Sequence, residues 1–212
     1  MTDFPVSLLD GYRSFRDGRY ARERERYRAL AERGQRPRVM VIGCSDSRVA
    51  PETIFSAPPG ELFVVRNVAN LVPPYRPEGC FHGTWAALEF AVQGLGVEHI
   101  VVLGHGRCGG IRVALEPPAA PLSPDDFVGK WMTLLGPAID EVEQAGGSPG
   151  GDRQTALERA SVRHSVANLR TFPYVSTLVE SGQLFLHGAW FDIADGVLWT
   201  MDPATGDFFP AG

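Results

Sequence analysis

The chain has 212 residues, 44% hydrophobic and 21% charged, with a formal net charge of −5, ordinary values for one globular domain that buries its own core. No apolar run is long enough to span a bilayer, the acidic balance argues against nucleic acid as a partner, and MTDFPVSLLDGYRSF lacks the basic and apolar regions of an export signal, so a cytoplasmic location is expected. Cys44, Cys80 and Cys108 are an odd number of cysteines, which argues against a disulfide framework and leaves thiols for metal or chemistry.

Residues 4–33 read as helical: Leu8, Tyr12 and Phe15 share a face, Tyr27, Leu30 and Ala31 continue the stripe, and Gly34 stops it. The spacing predicts an arm of two helices, residues 1–36, ahead of a single α/β domain, 37–212. Arginines crowd Arg13–Arg38, interleaved with Asp17, Glu23, Glu25 and Glu32, the pattern of a solvated helix face with i,i+4 pairs. Val39–Gly43 and Leu62–Val65 are short all-apolar runs, as expected for strands buried on both faces. Thr84–Leu95 has helical periodicity, and Ile100–Leu103 is a third strand. Prolines 117, 118, 121 and 124 mark a loop, Asp125–Gln144 a helix, Gly146–Gly151 a flexible break and Arg153–Arg170 another helix. Leu184–His187 and Gly196–Thr200 read as closing strands. Strands separated by helices predict right-handed crossovers and a mainly parallel sheet flanked by helices.

Two segments carry the chemistry. Gly43-Cys44-Ser45-Asp46-Ser47-Arg48 follows the first strand, and Gly104-His105-Gly106-Arg107-Cys108-Gly109-Gly110 follows the third. In an open parallel sheet, ligands gather beyond the carboxyl ends of strands, so residues distant in sequence meet there. Cys44, His105 and Cys108 suit zinc, and three protein ligands leave the open position of a catalytic site. Cys80 is read as a small buried thiol. Gly109-Gly110 lets backbone approach the metal and opens a helix whose N-terminus favours an anion. Asp46 can ligate the metal, accept a proton from its water or cap the next helix, and Arg48 can hold it by a bidentate pair.

Cys44-Ser45-Asp46-Ser47-Arg48 together with His105-x-x-Cys108-Gly109-Gly110 resembles the paired signature of the β-class carbonic anhydrases. The resemblance extends through Pro59-Gly60-Glu61, Arg66–Pro74, Ala86–Val92, Asn168-Leu169-Arg170 and His187-Gly188. It implies a four-stranded parallel core with an added edge strand, a homodimer or larger homo-oligomer with active sites at the subunit interface, and reversible hydration of carbon dioxide to bicarbonate and a proton. It implies one Zn2+ on Cys44, His105 and Cys108, and a catalytic dyad of Asp46 and Arg48. The plant-type members imply a substrate pocket of Gln35, Phe63, Val68 and Phe90, although Phe63 and Val68 also fit an ordinary core. Phe90 stands where tyrosine is frequent, and Gly106 where serine or threonine is usual. Some bacterial members hold inhibitory bicarbonate with tryptophan and tyrosine where this chain has Val41 and Phe191. Arg66, the third partner, is present, but because Val41 and Phe191 do not fit the other two positions, such inhibition is not expected. Two thiolates cancel more of the zinc charge than imidazoles do, so activity is expected to rise into alkaline pH. His82 is a conceivable proton shuttle. The alternatives are hydrolysis of carbon disulfide or carbonyl sulfide on the same scaffold, a structural zinc module that binds a partner through the arm, and a Cys44 nucleophile with His105 as base.

Overall fold

The computed structural model describes residues 4–78, 83–116, 118–146 and 152–212. Of the expected flexible break, positions 147–151 fall outside the described residues, as do Cys80 and His82. The arm begins with α1 (Val6–Phe15), passes through a π-helical turn at Arg16–Tyr20 and continues as α2 (Ala21–Arg33). The junction residues Phe15, Arg16, Tyr20 and Ala21 all keep right-handed helical dihedrals. The arm is therefore one continuous helix rather than the expected two. Gly34, with φ at 77°, ends it, the left-handed stop that glycine adopts without steric cost.

Among the described residues the sheet has six strands in the order β2-β1-β3-β4-β5-β6. They are β1 (Val39–Cys44), β2 (Leu62–Asn67), β3 (His99–His105), β4 (Phe185–Asp192), β5 (Val197–Met201) and β6 (Phe208–Pro210). The pairs β1–β2, β1–β3 and β3–β4 are parallel, while β4–β5 and β5–β6 are antiparallel. The four-stranded parallel core stands as expected, and β6 extends the added edge by a second antiparallel strand. With three residues ending in proline, β6 has too little pattern to be read in advance. The chain goes from β1 to one side for β2 and then across to β3 on the other, so the strand order switches between β1 and β3.

Helices flank the sheet. Short α3 (Pro51–Ile54) follows β1, and α4 (Gly83–Glu89) continues as a π-helical segment, Phe90–Leu95, before β3. After β3 come α5 (Gly109–Leu115), α6 (Phe127–Met132), α7 (Gly136–Gln144), α8 (Arg153–Leu169) and α9 (Pro173–Glu180). The helix expected over Asp125–Gln144 is broken by a 3-10 turn at Thr133–Leu135. Pro137 explains the break, because it cannot donate to the carbonyl one turn back and is tolerated only in a first turn.

Met40, Ile42, Ile100 and Val102 are buried among Leu88, Val92, Val162, Leu169 and Phe172. Each such side chain contributes about 1.5–3 kcal/mol of burial. Helix α8 comes very close to the sheet: a Cβ on Gly104 would lie 2.7 Å from Val162, and one on Gly188 2.9 Å. Glycine at those two strand positions is what allows α8 to lie so close against β3 and β4.

Candidate metal centre

Cys44 is the last residue of β1, and His105 is the last of the neighbouring parallel strand, β3. Gly43 and Leu103 are in register, so the two loops leave side by side at the switch in strand order, where open α/β sheets bind ligands. Cys108 stands at the N-cap of α5, just after Arg107, whose φ of 56° turns the chain back toward β1. Cys44, His105 and Cys108 are 4%, 1% and 1% exposed.

Their candidate ligand atoms all lie within 4.8 Å of one another, and the two sulfurs are 4.0 Å apart. Two sulfurs on one tetrahedral zinc, each about 2.3 Å from the ion, would be about 3.8 Å apart. The imidazole is oriented for the same purpose. Its Nδ1 lies 2.9 Å from the Gly106 carbonyl, which makes Nδ1 the N–H donor and leaves the lone pair on Nε2. Nε2 is buried without a hydrogen-bond partner. An orphaned buried nitrogen beside two thiols fits a zinc ion.

The two thiols are in hydrogen-bonding contact. The hydrogen bond with Cys108, followed by His105, brings Cys44 well below the ordinary thiol value despite burial. The same contact, then burial, pushes Cys108 up. A second negative charge at this distance needs a cation to offset it. Burial disfavours the His105 cation, but Cys44 and the Gly106 carbonyl raise its affinity for a proton on balance.

Asp46 does not cap a helix. The N-cap of α3 is Ala50, with no side-chain bond. Asp46 instead accepts from Arg48 three times: from Nε at 2.9 Å, Nη2 at 2.7 Å and the backbone N–H at 3.0 Å. The guanidinium hydrogen bonds hold its carboxyl well below the usual carboxylate range. Arg48 Nη2 also donates to the Arg107 carbonyl at 3.2 Å, tying the two loops together. Arg66 donates to the carbonyls of Cys44 and Asp46, both at 2.7 Å. Gly106 has a packing reason, since a Cβ there would meet the Trp190 ring at 3.1 Å.

Of the expected pocket residues, one chain brings only Val68 to the centre. Val68 lies 41% exposed in a cleft of about 640 Å3 that also includes Ser45, Arg66, Asn67, Phe127 and Trp131. Trp131 Nε1 donates to its carbonyl at 2.8 Å. Phe63 pairs in register with Met40, four positions before Cys44 on β1, which places it about 13 Å down the strand at about 3.3 Å per residue. Phe90, 53% exposed, packs at a tilt against Phe63 with centroids 5.9 Å apart. Gln35 is exposed just before β1. These three therefore lie toward the amino ends of the strands, away from the ligand cluster.

The sequence reading missed Glu158. On α8 and 1% exposed, it accepts from the Cys108 backbone N–H at 2.9 Å. Gln154 Nε2 and Trp190 Nε1 also donate to it, at 2.9 and 3.1 Å. Burial pushes its carboxyl up against these donors. The one available signal was a charged residue on the buried face of α8, between Leu157 and Val162.

Residues 39–198 match the family described as carbonic anhydrase. The chain is 36% identical over 206 residues to beta carbonic anhydrase 5, chloroplastic, of Arabidopsis thaliana, covering 96% of this chain and 67% of that protein. It is 35% identical over 207 residues to beta carbonic anhydrase 3 of the same plant, covering 95% and 79%. Among solved structures, the β-carbonic anhydrase CcaA aligns with a TM-score of 0.87 at 30% identity, over 98% of this chain and 92% of that one. One described among two tetrameric β-carbonic anhydrases of Sordaria macrospora aligns with a TM-score of 0.80 at 27% identity, over 96% and 98%.

Proposed function

This chain belongs to the β-class carbonic anhydrases, close to the plant type, and from that premise we propose that it catalyses the zinc-dependent reversible hydration of carbon dioxide to bicarbonate and a proton. The observation that carries the reading is the buried Cys44–His105–Cys108 cluster with its orphaned His105 Nε2. Zinc, when bound by these three residues, supplies a water acidic enough to act as a nucleophile near neutral pH.

The remaining steps belong to the chain's own groups. Arg48 keeps Asp46 ionised and aimed, so its carboxylate can accept a hydrogen bond or a proton from the attacking water. The Arg48 fork engages both oxygens, and it would compete with the metal for the carboxylate. Arg66 fixes the turn that carries Cys44 and Asp46. Val68 offers carbon dioxide an apolar wall in the cleft beside the ligands.

A second copy of the chain would complete the pocket. Gln35, Phe63 and Phe90 lie too far from the cluster within one chain to line it, yet Phe90 is open to solvent. The helical arm, with no buried residue in α1 or α2, offers an apolar surface for that second copy. Gln35 would then hydrogen-bond bicarbonate, while Phe63 and Phe90 would exclude water. The test is stopped-flow carbon dioxide hydration on zinc-loaded and zinc-stripped protein. Zinc should bind at one ion per chain and restore a rate well above the uncatalysed one. Stoichiometric zinc with no hydration would refute the assignment.

A further inference from the structure

We propose that Glu158 is a positioning residue for the metal centre, setting the place from which Cys108 Sγ meets the ion through a closed ring of hydrogen bonds around the Cys108 peptide. The proposal rests on the zinc reading above. The Cys108 N–H donates to Glu158 Oε1 at 2.9 Å. Gln154 Nε2 donates to that same oxygen at 2.9 Å and to the Cys108 carbonyl at 3.2 Å. Both polar groups of the ligand's own backbone are thus held by two side chains one turn apart on α8. Helix α8 in turn is seated on β3 and β4 through Val162 against Gly104 and Gly188. The clamp refers Cys108 to the sheet that carries Cys44 and His105.

The second carboxylate oxygen extends the clamp to the histidine side. Trp190 Nε1 donates to Glu158 Oε2 at 3.1 Å, and the Trp190 ring lies where any side chain on Gly106 would fall. Gly106 follows His105 and carries the carbonyl that orients its ring. One buried carboxylate therefore braces the turns of two ligands. The fold alone does not require it. A burial-matched apolar residue would pack beside Leu157 without the desolvation cost of a carboxylate. Three N–H donors converge here with nothing to accept a proton, which suits an acceptor-only group. A glutamine would point an N–H at one of them.

The experiment compares wild type, Glu158→Gln and Gln154→Leu in the full chain, each zinc-free and zinc-loaded. If the clamp positions Cys108, zinc transfer to a competing chelator should be faster by about 10–100-fold in both variants, the usual effect of removing a partner that orients a metal ligand. The rise in Tm that zinc gives should shrink relative to wild type, and the thiolate-to-metal absorption of the Co2+-loaded protein should shift. Equal losses of Tm with and without zinc, at an unchanged transfer rate and spectrum, would show Glu158 to be a support for the fold only and overturn the proposal. Gln154 is only half-buried, so Gln154→Leu decides the matter even if Glu158→Gln fails to fold. A wild type that takes up no zinc would instead refute the zinc reading.

Discussion

At the carboxyl ends of β1 and β3, Cys44, His105 and Cys108 are no more than 4% exposed, and the carbonyls around them are claimed by Arg48, Arg66 and Gln154. Along the arm, Phe4, Val6, Leu8 and Tyr12 are 62%, 66%, 59% and 56% exposed. The arm reaches the body from its middle onward, where Arg19 Nη2 donates to the Ala57 carbonyl at 3.5 Å. Arg26 donates to the Pro59 carbonyl at 2.7 Å, and Leu30 fills the space that a Cβ on Gly60 would take. The difference points to a division of labour under the proposed function: the three metal-binding residues meet within one chain, whereas the proposed substrate pocket would need a second copy. Large apolar side chains left in water mark surfaces that another molecule covers.

The sharpest way to break that division is at the complete end. Cys44→Ser replaces a thiolate with a poor zinc ligand, and it should abolish zinc retention and lower carbon dioxide hydration by about a thousandfold or more. Metal analysis beside stopped-flow rates measures both, and a variant that kept full activity would remove the centre from the mechanism. Asp46→Asn should keep zinc at one ion per chain while the rate falls by about 100–10,000-fold, the range for losing a positioned acid–base group. Loss of zinc in that variant would make Asp46 a ligand instead.

The incomplete end is tested by Leu8→Glu combined with Tyr12→Glu, one turn apart on the exposed face of α1. Burial of each side chain would contribute about 1.5–3 kcal/mol, so the dissociation constant of the assembly should rise by about 100-fold or more. Sedimentation should show monomers that still hold zinc, and hydration should recover as protein concentration is raised. Monomers with wild-type activity would show that one chain suffices.

These two ends also differ in what could be read from residues alone. Cys44 and His105 were legible because short apolar strands end directly on them, and parallel strands deliver their ends to one edge whatever lies between. Val68 stands just past the end of β2, but only a family likeness pointed to it. Gln35, Phe63 and Phe90 were legible only as a family likeness, since no periodicity shows that they stand at the opposite ends of the strands. Glu158 left little signal, for another reason. Its partner Cys108 lies on a different element, and the bond goes to the backbone, which carries no residue-specific signal. The arm expected as two helices is one, and Gly18 stays helical inside it at a cost of about 1 kcal/mol relative to alanine.

The smallest effect separates two carboxylates elsewhere on the scaffold. Glu141, on α7 and partly buried, bonds His164 at 2.8 Å and also pairs with Arg163. Burial opposes its charge, yet Arg163 and then His164 hold its carboxyl below the ordinary value. Glu98, half-exposed beside the more open Arg38, is lowered by that arginine. A depressed carboxyl contributes stability that is complete above the unfolded value, about 4.3 for glutamate, and is lost as pH falls through the lower folded value. Between pH 5 and 3, Glu141→Gln should therefore lose less stability than wild type, because it lacks the group whose protonation weakens the fold. Glu98→Gln should track wild type more closely, since exposed pairs are screened. Urea unfolding at pH 5, 4 and 3 measures the slopes. Identical slopes for Glu141→Gln and wild type would mean that the α7–α8 pairing adds nothing to the platform behind the metal centre, leaving α8 held there by its packing on β3 and β4 alone.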